Sequence, residues 1–219
     1  MTNVISALAV MIAALSFVAG VSAWKREFVG KRQIELAESV LAMFYEAEDA
    51  IREIRSPFSF GGEGKSRKRA EYEHEEASQL LDQAYVVFER YQKRERFFAR
   101  LRSTRYRIMA AFGPSAAGPF DELSSVLNEI LVAARMLGTH YWPRQGLVDM
   151  EPEEFDRHLA DMRRQEAVFW YMGDEQDKIY PRVGAAVKKM EEITRKAVAS
   201  RTSLLDDVWN RIKKRSKCS

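Results

Sequence analysis

The residues best suited to chemistry fall in four places. Ser59 to Ser66 (SFGGEGKS) ends in Gly64-Lys65-Ser66, the close of a phosphate-binding loop in which backbone N–H groups and one lysine cradle phosphates. That chemistry needs a glycine where Ser59 stands, a strand before the loop and a helix directly after it. Here a helical pattern precedes and the polar run from Arg67 to Glu76 follows, so the stretch reads as a flexible, basic interhelical loop. Lys65, Arg67, Lys68 and Arg69 would offer at most a weak anion contact. Glu71 and His74 have the Glu-x-x-His spacing of di-iron helix bundles, which require a second copy. There is none: His158 has Phe155 three residues earlier, and His140 lies in a loop segment. The acids from 71 to 76 therefore read as a solvated helix start. Cys218 is the only cysteine, so no internal disulfide can form, and its basic tail makes it a plain thiol or, if it reaches a membrane, a palmitoyl acceptor. No serine or cysteine is set beside a base and an oxyanion site, and neither a catalytic residue, a cofactor nor a metal is expected.

The fourth place is Lys93 to Arg107 (KRERFFARLRSTRYR), with seven basic residues against the single acid Glu95 and with Phe97, Phe98 and Tyr106 interleaved. One reading is a solvated helix face whose arginines pair with acids on neighbouring helices. Nucleic-acid binding uses the same mixture, but these aromatics fit an apolar core stripe, and a net charge of +3 is small for that role. The third reading comes from lengths. A helix leaving a bilayer for about thirty residues climbs ~45 Å, and an antiparallel partner starting near Arg69 comes back to the headgroups near Arg100 to Arg107. Lys25, Arg26, Lys31, Arg32, Arg100, Arg102, Arg105 and Arg107 would then form one cationic collar on anionic lipid, each contributing ~1 kcal/mol.

The bilayer enters through the start of the chain. Val4 to Trp24 carries no charge and is almost wholly apolar, and as a helix it spans about 31 Å, the thickness of a hydrocarbon core. Every Lys and Arg lies after residue 24, which puts the C-terminal side in the cytoplasm. Val21-Ser22-Ala23 resembles a signal-peptidase site, but no basic residue precedes the apolar run, and the run exceeds the usual signal core. A single-pass anchor with Trp24 at the interface is the expectation.

The remaining chain reads as all-α, a cytoplasmic antiparallel bundle of about five helices continuing from the transmembrane helix. Its six prolines fall between segments of helical period, and strand-like alternation is absent. The first body helix, about Lys25 to Ser56, carries Ile34, Ala37, Leu41, Phe44, Ala47, Ile51 and Ile54. A second long segment runs from about Arg69 to Phe112 with Leu80, Ala84, Val87, Tyr91, Phe98, Leu101, Ile108 and Phe112 in coiled-coil phase, although Arg94 and Arg105 fall on that seam. A third helix follows Gly118-Pro119 and ends at Gly138; a fourth begins near Pro152 and buries Phe155, Leu159, Met162, Phe169 and Met172; a fifth follows Pro181. A short final helix starts near Ser203. The expected division is 1–24 anchor, 25–202 bundle, and 203–219 basic helix and tail. The function expected is a non-enzymatic membrane-anchored scaffold, with lipid and an unidentified protein as partners, nucleic acid not among them, and homo-oligomers through Ala7, Ala13, Ala14 and Gly20 as a further option. The alternative is a ligand-responsive sensor or enzyme with a pocket between helices. Exposed aromatics around Phe58, Phe60, Tyr141 and Trp142 are expected to fold back onto the core or to dock a partner.

Overall fold

The computed structural model describes residues 2–145, 149–173 and 177–196, with side chains from residue 9 onward. The short final helix expected after Ser203, and Cys218, lie outside the described residues. Those described form six α-helices and no strand: α1 (Thr2–Ile54), α2 (Glu75–Lys93), α3 (Glu95–Phe112), α4 (Gly118–Met136), α5 (Pro152–Phe169) and α6 (residues 180–196). They fall into two compact units. One holds the described residues up to Ser39 with those from Thr194 on; the other is Val40–Ile193.

In the first unit α1 is long and apolar enough to cross a membrane. Its apolar side chains are exposed: Val10, Met11, Ile12, Leu15, Phe17, Val18 and Val21 all face outward. Trp24 stacks on Phe28 at 5.7 Å, one turn along, and the Arg32 guanidinium lies 5.7 Å from the Phe28 ring centre. Ile34, expected in the core, is exposed.

The second unit holds a core that follows most of the predicted stripes. Phe44, Ala47, Ile51 and Ile54 of α1 are buried as expected, but Val40 takes the inward place and Leu41, one residue on, is only half-buried, so that the buried residues recur three or four apart as a 3.6-residue period demands. Phe98, Leu101 and Ile108 of α3, Phe120, Leu123 and Ile130 of α4, and Val183, Val187 and Met190 of α6 complete the core. Phe44 meets Phe120 edge-on at 4.9 Å, the arrangement that aligns a ring's positive rim with a negative face.

Three predicted elements are corrected. The long second segment is two helices, starting at Glu75 and broken at Arg94, whose backbone (φ −105°, ψ 5°) leaves the helical region. A seam position cannot bury an unpaired guanidinium, and Arg94 turns out to Glu53, its Nε 3.2 Å from the carboxylate. Gly113, at φ +95°, ends α3. Gly138 does not end the third helix: α4 passes at Leu137 into a π turn (Leu137–Tyr141) and then a 3-10 turn (Trp142–Arg144). A Cβ on Gly138 would stand 2.6 Å from that of Ala84, so its role is the close approach of α2. In α5, Phe155 is 40% exposed and Leu159 only half-buried, while His158 is buried, and Met172, just past the helix end, is exposed. The π turn lies against this face, with a His158 ring nitrogen 3.1 Å from the Tyr141 carbonyl and Trp142 donating to Glu166 at 2.9 Å, so contact rather than hydrophobicity sets which face of α5 turns inward.

Candidate functional site

The loop after α1 is tied down from three sides. Helix C-termini leave carbonyls without intrahelical donors, and Arg90 of α2, itself buried, supplies them: its guanidinium donates to the carbonyls of Glu53 at 3.2 Å, Ser56 at 2.8 Å and Phe58 at 2.6 Å, and to the Glu63 carboxylate at 2.7 Å. That hydrogen bond holds the Glu63 carboxyl below its usual value against the opposing effect of burial. Further on, the Gly64 N–H and the Ser66 hydroxyl donate to Glu89 at 2.8 and 2.9 Å. The groups that would hold a phosphate thus hold a carboxylate of the protein, whose pKa is lowered chiefly by the Gly64 N–H. Gly64 has φ +83°, and a Cβ there would lie 2.0 Å from the Asp82 carbonyl oxygen.

Two of the four cations expected to contact anions are committed. Arg67 pairs with Glu73 and, at 3.1 Å, with Asp82, and Arg69 reaches Asp82 at 2.7 Å. Lys65 and Lys68 are exposed. Glu73 also accepts from the Ser78 hydroxyl at 2.9 Å and the Ala70 N–H at 3.1 Å. Led by the Arg67 hydrogen bond, these donors hold its carboxyl down to about 2. The acids at 71 to 76 are therefore not uniformly solvated: Glu71 and His74 face water, whereas Glu73 is enclosed. Among the described residues no group of three or more His, Cys, Asp or Glu is arranged to hold a metal ion.

Within this fastened loop two rings stay in water. Phe58 is 82% and Phe60 84% exposed, although the Phe58 carbonyl is bound by Arg90 and the Phe60 N–H by Glu63 at 3.2 Å. They do not fold back as expected. Trp142 does, stacking edge-on against Phe169 at 5.4 Å, and Tyr141 is half-buried beside His158.

The basic helix α3 divides its arginines by face. Arg96, Arg100 and Arg107, four and seven residues apart, share one strip about 16 Å long at 1.5 Å per residue, all exposed and without an acidic partner. Arg102, also exposed, reaches only the Tyr91 hydroxyl, at 3.4 Å. Arg105 lies on the other side and grips Asp121 with two nitrogens at 2.9 and 3.1 Å, a hydrogen bond that raises its pKa. Lys25, Arg26, Lys31 and Arg32 of the first unit are exposed, with Glu27 and Glu35 on the same stretch of helix.

Two surface grooves lie among the described residues. One, of about 190 Å³, is walled by Phe98, Leu101, Phe120, Leu123 and Leu127, with Arg102 and Arg105 also lining it. The other, of about 240 Å³, is walled by Leu81, Ala84, Tyr85, Phe88 and Ala134, with Arg67 and Thr139 among its lining residues.

Arg55 and Asp177 are the polar pair that periodicity could not reveal. Both are buried, joined through Nη1 at 2.9 Å. Arg55 also donates to the carbonyls of Ala167, Val168 and Trp170 at 3.0, 2.8 and 2.6 Å, closing the C-terminus of α5. Asp177 accepts the N–H groups of Ile179 and Tyr180, each at 2.9 Å, opening α6. Burial alone would raise the Asp177 carboxyl, but the Tyr180 N–H and Arg55 outweigh it and hold it below its ordinary value; burial pushes Arg55 down. The only sequence signal for Arg55 is its place after Ile51 and Ile54. No family model matches the chain, and neither a curated protein nor a solved structure matches it.

Proposed function

We propose that this protein is a single-pass, membrane-tethered helical module, non-enzymatic, whose body lies on the cytoplasmic side and acts by contact. The observation that carries the reading is the exposed apolar surface of α1 up to Trp24, which in water would be a large unpartnered patch and in a bilayer is solvated by acyl chains. The stack of Trp24, Phe28 and Arg32 supports a boundary at this level, since aromatic and basic residues concentrate at membrane interfaces. An antiparallel bundle is supported by the order of two contacts: Arg94 meets Glu53, and the Thr104 hydroxyl lies 3.9 Å from the Met43 sulfur, so α3 retraces α1 in reverse.

Headgroup contact is assigned to Lys25, Arg26, Lys31 and Arg32, and on α3 to Arg100, Arg102 and Arg107. Arg105, held by Asp121, adds least. Membrane fractions from cells making the full chain test this. The protein should resist alkaline extraction, retain Met1 through Trp24 by mass spectrometry, and be cut by added protease only in inside-out vesicles. A product starting after Ala23, or a body cleaved outside intact cells, overturns the reading.

A further inference from the structure

We propose that the Phe58–Phe60 loop docks in the groove walled by Leu81, Ala84, Tyr85, Phe88 and Ala134 on a second copy of this chain, so that the protein self-associates through its body. Three observations meet here. First, the loop is a preformed protrusion. Arg90 fixes the Phe58 carbonyl and Glu63 the Phe60 N–H, so burying the rings costs little further backbone entropy, and both rings are almost fully in water. A loop that merely connected two helices would gain stability by turning such rings inward, as Trp142 does.

Second, the receptacle has the right size and chemistry. The groove is open to solvent and of about 240 Å³, room for a ring laid against its aromatic and aliphatic walls, with Arg67 and Arg135 also among its lining residues. Tyr85 and Phe88, stacked at 5.8 Å, form an aromatic wall, and Gly138 contributes backbone without a side chain that would close the floor.

Third, protrusion and receptacle belong to one connected stretch of surface. Arg67 lines the groove and is bound to Asp82 of α2, while Gly64, four residues after Phe60, is bound to Glu89 one turn beyond Tyr85. A two-fold contact requires a single patch that carries both the projecting and the receiving part, so that each copy gives and takes. Lys65 and Lys68 are exposed on the same loop and would form a polar rim.

The test uses the full chain with Cys218→Ser in lipid nanodiscs, one copy carrying Ser59→Cys and a differently tagged copy carrying Thr139→Cys. A disulfide joining the two tags is expected, and Phe58→Ser with Phe60→Ser should lower its yield at least about tenfold. At a dilution where the parent is monomeric the thermal midpoint should stay unchanged, because both rings are exposed in the single copy, whereas at concentrations where the parent is dimeric it should fall. Thr139→Trp, which blocks the groove from its rim, should have the same effect on self-association measured by sedimentation. A protein that is monomeric at every concentration, a yield indifferent to the two phenylalanines, or a loop shielded by lipid in a monomer would each overturn the proposal; the second result would give any dimer to the α1 small residues.

Discussion

At the residue scale, two ion pairs dominate. Arg55 holds Asp177 and three α5 carbonyls in a site closed to water. Replacing Arg55 by methionine leaves Asp177 as an uncompensated buried charge, and thermal or denaturant unfolding should show a loss of about 3 to 5 kcal/mol. Asp177→Asn, which keeps an acceptor for the Ile179 and Tyr180 N–H groups, should cost less than Asp177→Leu. The pH dependence follows in sign. Asp177 and Glu73 both have folded pKa values below their unfolded ones, so their stabilisation is complete above pH 5 or so and disappears as pH falls through the folded values. For Glu73 that window runs from the ordinary glutamate value near 4.5 down to about 2. Carboxyl titration by NMR should place Glu73 near the lower end, and Arg67→Gln should move it back toward the upper.

At the element scale, the loop from 57 to 74 behaves as part of α2. Gly64→Ala would combine a left-handed backbone with a Cβ driven into the Asp82 carbonyl, and should cost about 2 to 4 kcal/mol in unfolding measurements. Gly61→Ala meets nothing within 4 Å and has no positive φ, so it should lie within about 0.5 kcal/mol of the parent. The pair separates a structured loop from a basic tether, for which both changes would be silent. The break at Arg94 belongs to the same scale. The coiled-coil phase was visible in the spacing, and so was the offending arginine, but Glu53 and Glu46, the carboxylates that draw it away, lie on α1.

For the whole molecule, the proposed tether and the arginine strip of α3 make separable predictions. Changing Lys25, Arg26, Lys31 and Arg32 to glutamate removes the basic bias that orients the span, and protease accessibility should report inverted or failed insertion. Changing Arg100, Arg102 and Arg107 to glutamate should leave insertion intact. In proteoliposomes it should abolish any protection of α3 from hydrogen exchange that depends on anionic lipid. That protection should also weaken as salt shortens the screening length to about 10 Å at 0.1 M. Protection that persists unchanged with neutral lipid would remove headgroups as partners of α3.

Periodicity alone determined that the described residues are helical, the buried stripe of α4 and most of those of α1, α3 and α6, and that the first helix is apolar enough for a bilayer. These follow from local repetition, because a residue's face is fixed by its number once the helix is given. What no spacing encodes is which distant group meets which. Gly64, Lys65 and Ser66 read as a phosphate cradle until Glu89 is seen occupying it. Arg55 meets Asp177 across more than a hundred residues, and Gly138 is a glycine because Ala84 passes beside it. Tertiary packing decided that Trp142 is inside and that Phe58 and Phe60 are outside, since a loop aromatic's fate depends on whether its backbone's hydrogen-bond partners hold it toward the core or away from it.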